Sequence, residues 1–207
     1  NNLPRLPLLF ANHPSRSATA IGDYGLDEPS ELRHYHDAAP NVYHGMEGAP
    51  GHQAATLTTN ENFLNDAGHS HRGFYTNPDA PTLGGFDQMT AIVGGLWDSL
   101  LGEGRRFWIL ASSDSHMHYA DPVRPGIDFW PGEFHKTYVH AQNTYTDVLD
   151  GLRAGRIFAV AGDLITELDV RAISSTQEAT VGETLHIETD ERVDVTIRFL
   201  DPAIPNA

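Results

Sequence analysis

Short apolar runs separated by polar, glycine- and proline-rich stretches set the plan of the chain. Leu6–Ala11, Phe107–Ala111 and Ile157–Ala161 are continuous apolar segments of strand length, the pattern of strands buried on both faces. Val42–Gly48 is a further short strand running into a glycine-rich turn, and Thr137–Ala141 is strand-like. Between them the period lengthens. Phe86, Met89, Ile92, Val93, Leu96, Trp97, Leu100 and Leu101 recur at helical spacing, predicting one amphipathic helix over 86–102 with its stripe in the core. Gly102 and Gly104 stop it. Pro29 and Glu31 open a shorter helix closed by Pro40, and Thr144 caps another that ends at Gly155. Helix followed by strand is the local order of an α/β protein. From about residue 165 the pattern alternates instead, over Ile165–Ala172 and again over Val193–Phe199, as half-exposed antiparallel strands do.

Each buried strand ends abruptly in residues that carry chemistry. Phe107–Ala111 runs into Ser112-Ser113-Asp114-Ser115-His116, and Leu6–Ala11 runs into Asn12-His13-Pro14-Ser15-Arg16. Loops at the carboxyl ends of strands are where α/β folds present ligands. On an extended backbone Asp114 and His116 point the same way, and Pro14 biases His13 toward extended geometry. Carboxylate oxygen and imidazole nitrogen converging on one point suit a divalent transition ion. Glu47 faces either a metal or substrate group, or solvent from its turn. The segment 49–83 is rich in Gly, Pro, Asn, Asp and His, as mobile or functional loops are, and holds an H-x-H pair, His69 and His71.

Composition narrows the chemistry. The 207 residues contain no cysteine, so disulfides and thiolate metal sites are excluded. Twelve histidines leave nitrogen and oxygen donors as the only metal ligands. A formal charge of −15 with no offsetting basic stripe argues against a nucleic-acid surface. No run has the apolar length of a membrane span.

The His-Pro after one strand, the Ser-Asp-Ser-His loop after another, and Asp147–Val160 with its Ala154-Gly155-Arg156 turn together resemble the PHP (polymerase and histidinol phosphatase) metallohydrolase superfamily. The nearer likeness is to its carbaryl-hydrolase-like branch, whose appended sheet Val181–Leu185 also resembles. The resemblance spans Leu6 to Leu200. It implies an α/β fold: the C-terminal part of a distorted (β/α)7 PHP barrel over residues 1–165, followed by the start of a small antiparallel β module over 166–207. It further implies two or three divalent ions, Zn, Mn or Fe, with His13, Asp114, His116 and Glu47 as metal ligands and Arg16 near the site. Members of the superfamily carry an H-x-H loop and further ligands ahead of the His-Pro. Twelve residues precede His13, and His69-Ser70-His71 follows it, so either the sequence is a piece of a longer chain, the favoured expectation, or the site is degenerate.

The function implied is metal-dependent hydrolysis by activated water, with phosphoesters the leading substrate class. In that reading Asp114 and His116 serve the metal cluster and Arg16 clamps a phosphate oxygen bidentately. The substrate is a small-molecule phosphoester or ester, self-association is compatible with it, and the setting is secreted or periplasmic, with the cytoplasm the alternative. The rival is a catalytically inactive, PHP-like secreted binding or assembly protein. A serine-hydrolase triad of Ser113, Asp114 and His116 is rejected, because triads converge from distant positions and no nucleophile elbow is present.

Overall fold

The computed structural model describes residues 5–15, 18, 21–24, 27–51, 83–114, 132, 135–162 and 164–201. The chain forms two compact units, residues 1–136 and 137–207.

In the first unit, strands β1 (Leu9–Ala11), β2 (Tyr43–Ala49) and β3 (Trp108–Ala111) form a parallel sheet in the order β1-β2-β3. Ala11 pairs with Met46, and Met46 in turn with Ile109. The middle strand is buried along its whole length, as a parallel strand with neighbours on both edges must be. Position 45 admits only glycine, because a β-carbon there would lie 1.9 Å from the Trp108 carbonyl oxygen. Between β1 and β2 runs helix α1 (Pro29–Ala38), whose entry is tied by the Glu31 carboxylate accepting from the Glu28 N–H at 2.9 Å. Leu32, Tyr43, Met46, Met89, Leu96, Leu100 and Phe107 make the core. Arg105 pairs with Asp37 and Glu103, and Arg33 with Glu103 at 2.7 Å, tying α1 to the turn before β3.

The helix expected over 86–102 is two shorter ones, α2 (Gln88–Ala91) and α3 (Leu96–Gly102). Gly94, in the left-handed region at φ 75°, and Gly95 break the run. The break rotates the second half, so Met89, Leu96 and Leu100 stay buried while Val93 is 94% exposed and Ile92 and Leu101 are exposed. The indole of Trp97 instead donates to the Phe107 carbonyl at 2.9 Å. The strands expected from Leu6 and Phe107 begin later, at Leu9 and Trp108, with Phe107 wholly buried ahead of β3.

In the second unit, β4 (His135–Val139), which begins just ahead of it, pairs with β5 (Ile157–Ala161) across helix α4 (Tyr145–Ala154). Thr144 caps α4, accepting from the Asp147 N–H at 3.2 Å, and Gly155 ends it at φ 75°, as the pattern predicts. Strands β6 (Glu167–Ile173), β7 (Glu178–Thr180) and β8 (Asp194–Leu200) form an antiparallel sheet in the order β7-β6-β8. Leu168 pairs with Phe199, Val170 with Ile197 and Ala172 with Val195.

Candidate functional site

The loops that follow β1 and β3 meet on the middle strand. Glu47, near the carboxyl end of β2 and 7% exposed, holds both. Its Oε2 accepts from the His13 N–H at 2.9 Å, and its Oε1 accepts from the Ser112 hydroxyl. Ser112 Oγ accepts in turn from the Asp114 N–H at 3.0 Å, so it donates its single proton and accepts on one lone pair. Three hydrogen bonds thus run from the backbone of His13 to the backbone of Asp114 through one carboxylate. Glu47 is therefore no solvated turn residue: the strand continues to Ala49, Glu47 pairs with Leu110 on β3, and its side chain is buried.

His13 and Asp114 share an unusual backbone. Their φ angles are +30° and +52°, in the left-handed region that non-glycine residues seldom enter. This corrects the extended geometry expected of His13 ahead of Pro14 and of Asp114 ahead of His116. In each case a fixed acceptor outcompetes local preference: the Glu47 carboxylate takes the His13 N–H, and the Ser112 hydroxyl takes that of Asp114. Residues held off the common conformations cluster at functional sites, where the surroundings over-determine them.

Two residues that the pattern of the sequence does not single out complete the frame. Asp87 is fully buried and accepts from the Ser15 N–H at 3.1 Å, the Ser15 hydroxyl at 2.7 Å and the Met89 N–H at 2.9 Å. It caps α2 and clamps the turn just beyond His13 at the same time. Its position before a helix was a legible capping signal; its partner Ser15 was not. Asp27 lies within electrostatic reach of His13. Burial first, then the charge of Glu31, pushes its carboxyl above the ordinary value, and His13 draws it partly back. Beyond β3, the Ser113 hydroxyl accepts from the Gly132 N–H at 2.7 Å, and a β-carbon on Gly51 would lie 2.3 Å from the Ser113 carbonyl oxygen.

Of the expected site residues, the fold brings His13, Glu47 and Asp114 to one end of the sheet. Arg16, His116, His69 and His71 lie outside the described residues. Among the described residues no group of three or more His, Asp or Glu side chains is close enough to share a metal ion. Imidazole and carboxylate donors at these three tips fit a nitrogen- and oxygen-preferring divalent ion in type. No helix among the described residues is long and apolar enough to cross a membrane. No family model matches the sequence, and neither a curated protein nor a solved structure matches it.

Proposed function

We propose that the chain carries part of a metal-dependent hydrolase site of the PHP type, acting on phosphoesters through a metal-activated water. The observation that carries this reading is the Glu47 bridge, which draws the His13 and Asp114 loops to one end of a parallel sheet. When bound, divalent ions supply Lewis-acid stabilisation and a water of lowered pKa. His13, Asp114, Glu47 and, by sequence, His116 are the residues that would hold them. Glu47 also positions: its carboxylate fixes the turn on which the His13 ring is mounted and, through Ser112, the turn that bears Asp114. The buried Asp87 clamp stiffens the first of these turns. Arg16, three residues beyond His13, is the candidate to bind a phosphate oxygen.

Hydrolysis of a chromogenic phosphodiester in the presence of Mn²⁺ or Zn²⁺ tests the proposal. His13→Ala, Asp114→Ala and His116→Ala are each expected to lower turnover by about 100-fold or more. Turnover unchanged by all three rejects it. A second reading, an inactive binding or assembly protein on the same scaffold, is favoured by one feature. Val195, Ile197 and Phe199 on β8 are 60%, 60% and 66% exposed, an apolar row on an antiparallel sheet. Concentration-dependent self-association in sedimentation, with no turnover under any metal, is the result that supports it.

A further inference from the structure

Strand β8 is the outer strand of the antiparallel sheet, and among the described residues its far edge has no hydrogen-bonded neighbour. An open edge is a template for another strand, and proteins blunt it with a short strand, a bulge, a proline or a lysine. At the opposite edge, β7 is only three residues long. β8 uses none of these devices: it runs for seven residues in unbroken register with β6, without proline or lysine. By strand alternation Val195, Ile197 and Phe199 share one face, and Asp194, Thr196 and Arg198 share the other. Charge is the remaining protection, but the two charges of β8 have opposite signs and flank Thr196 symmetrically. An edge so charged does not repel its own copy laid antiparallel; it matches it. Arg198 sits opposite Asp169 on β6, yet that carboxylate is bonded to Arg171 at 3.0 Å. Among the described residues Arg198 has no ion-pair partner.

We propose that β8 pairs with β8 of a second copy of this chain, antiparallel about a two-fold axis at Thr196, so that two sheets become one. Charge selects this register. With Thr196 opposite itself, Asp194 faces Arg198 of the second copy at two sites, and Val195 lies beside Ile197 at two more. Centring the pair on Ile197 sets Asp194 against Leu200 and Thr196 against Arg198, which leaves both charges unmatched. Centring it on Val195 sets Arg192 against Arg198, and centring it on Asp194 or Arg198 sets that charge against itself. Centring it between residues turns apolar positions onto the polar face. Arg192 holds Oδ1 of Asp194 at 2.7 Å, and Oδ2 is left for Arg198 of the second copy. The contact is isologous and closes on itself, with each copy using one edge once. Main-chain hydrogen bonds supply its affinity, as in strand addition generally. No residue assigned to metal takes part, so the pairing stands or falls separately from the hydrolase reading.

Sedimentation velocity of the whole chain over a range of concentrations tests it, with charge swaps reading the register. The native chain is expected to show a monomer–dimer equilibrium. Asp194→Arg and Arg198→Asp each set like charges opposite one another at two sites, and each is expected to weaken dimerisation by about tenfold or more. Mixed together, the two variants present opposite charges to each other again, and a heterodimer about as stable as the native dimer is expected. Both positions are exposed, so the circular dichroism of each variant should match that of the native chain. The sequence has no cysteine, so Thr196→Cys gives an independent readout. Directly opposed residues lie about 4.5–5.5 Å apart at Cα, within disulfide reach. Mild oxidation should link Thr196→Cys into a dimer and leave Thr176→Cys, on the turn between β6 and β7, unlinked. The proposal is overturned by a native chain that stays monomeric up to about 1 mM. It is equally overturned by single variants that dimerise as well as the native chain, by a mixture no better than either variant alone, or by Thr196→Cys that does not link.

Discussion

The two three-stranded sheets of this chain put similar amounts of backbone to opposite uses. In β1-β2-β3 the strands are parallel, the central one is buried throughout, and every strand delivers a polar residue to the same end. In β7-β6-β8 the pairing is antiparallel, β8 is exposed at every position, and the polar residues pair along the strands, as Arg171 does with Asp169 and Glu178. Parallel pairing aligns strand ends, so three loops converge and one carboxylate can brace two of them. Antiparallel pairing sends successive ends in opposite directions and spreads its polar contacts over the surface. Polar side chains collect where the first arrangement gathers loops. The second offers a surface.

The largest effect that separates the two sheets is expected at Gly45. Gly45→Ala drives a β-carbon into the Trp108 backbone and is expected to cost about 4 kcal/mol or more, or to prevent folding of the first unit. Urea denaturation followed by circular dichroism measures it. A cost under about 1 kcal/mol would show that β2 and β3 can separate, and would weaken the contrast.

A paired truncation comes next. Phe107→Ala empties a fully buried position ahead of β3 and is expected to cost about 3–5 kcal/mol. Phe199→Ala, at a position 66% exposed on β8, should cost less than about 1 kcal/mol. Equal costs at the two positions would mean that the face of β8 is covered in solution, which supports the assembly reading.

The smallest effect is electrostatic. Hydrogen bonds from Arg105, then Arg33, hold the Glu103 carboxyl down to about 2, below its ordinary 4.5. A depressed carboxyl contributes stability that is full above the ordinary value and is lost as pH falls toward 2. The gap in urea midpoint between the native chain and Glu103→Gln should therefore be constant near neutrality and close across that acid window. The pair is exposed and the gap is correspondingly small. A gap that stays constant down to pH 2 would remove this network from the forces that tie α1 to the turn before β3.

What the sequence discloses follows the same division. Continuous apolar runs mark β3 and β5, and alternation marks the extents of β6 and β8, although β8 is exposed at every position rather than half-exposed as its alternation predicts. The cap at Thr144 and the stop at Gly155 are equally local. The break between α2 and α3 was hidden because apolar spacing continues through Ile92 and Val93, while the Gly94-Gly95 pair turns the backbone. At the candidate site, His13 and Asp114 stand out by type and position, but their left-handed backbone does not. It depends on Glu47 and Ser112 arriving from other strands, which no local pattern contains. For the same reason Asp87 reads as a helix cap, whereas its hold on Ser15, 72 residues away, does not show in the sequence.

The proposed hydrolase site requires that a divalent ion bind at the His13 and Asp114 tips that Glu47 braces. Crystals of the chain soaked in Zn²⁺ and measured at the zinc absorption edge test it most directly. The expected result is an anomalous peak about 2.0–2.2 Å from an oxygen or ring nitrogen of these side chains. A chain that binds zinc only elsewhere, or shows no peak at these tips, contradicts it.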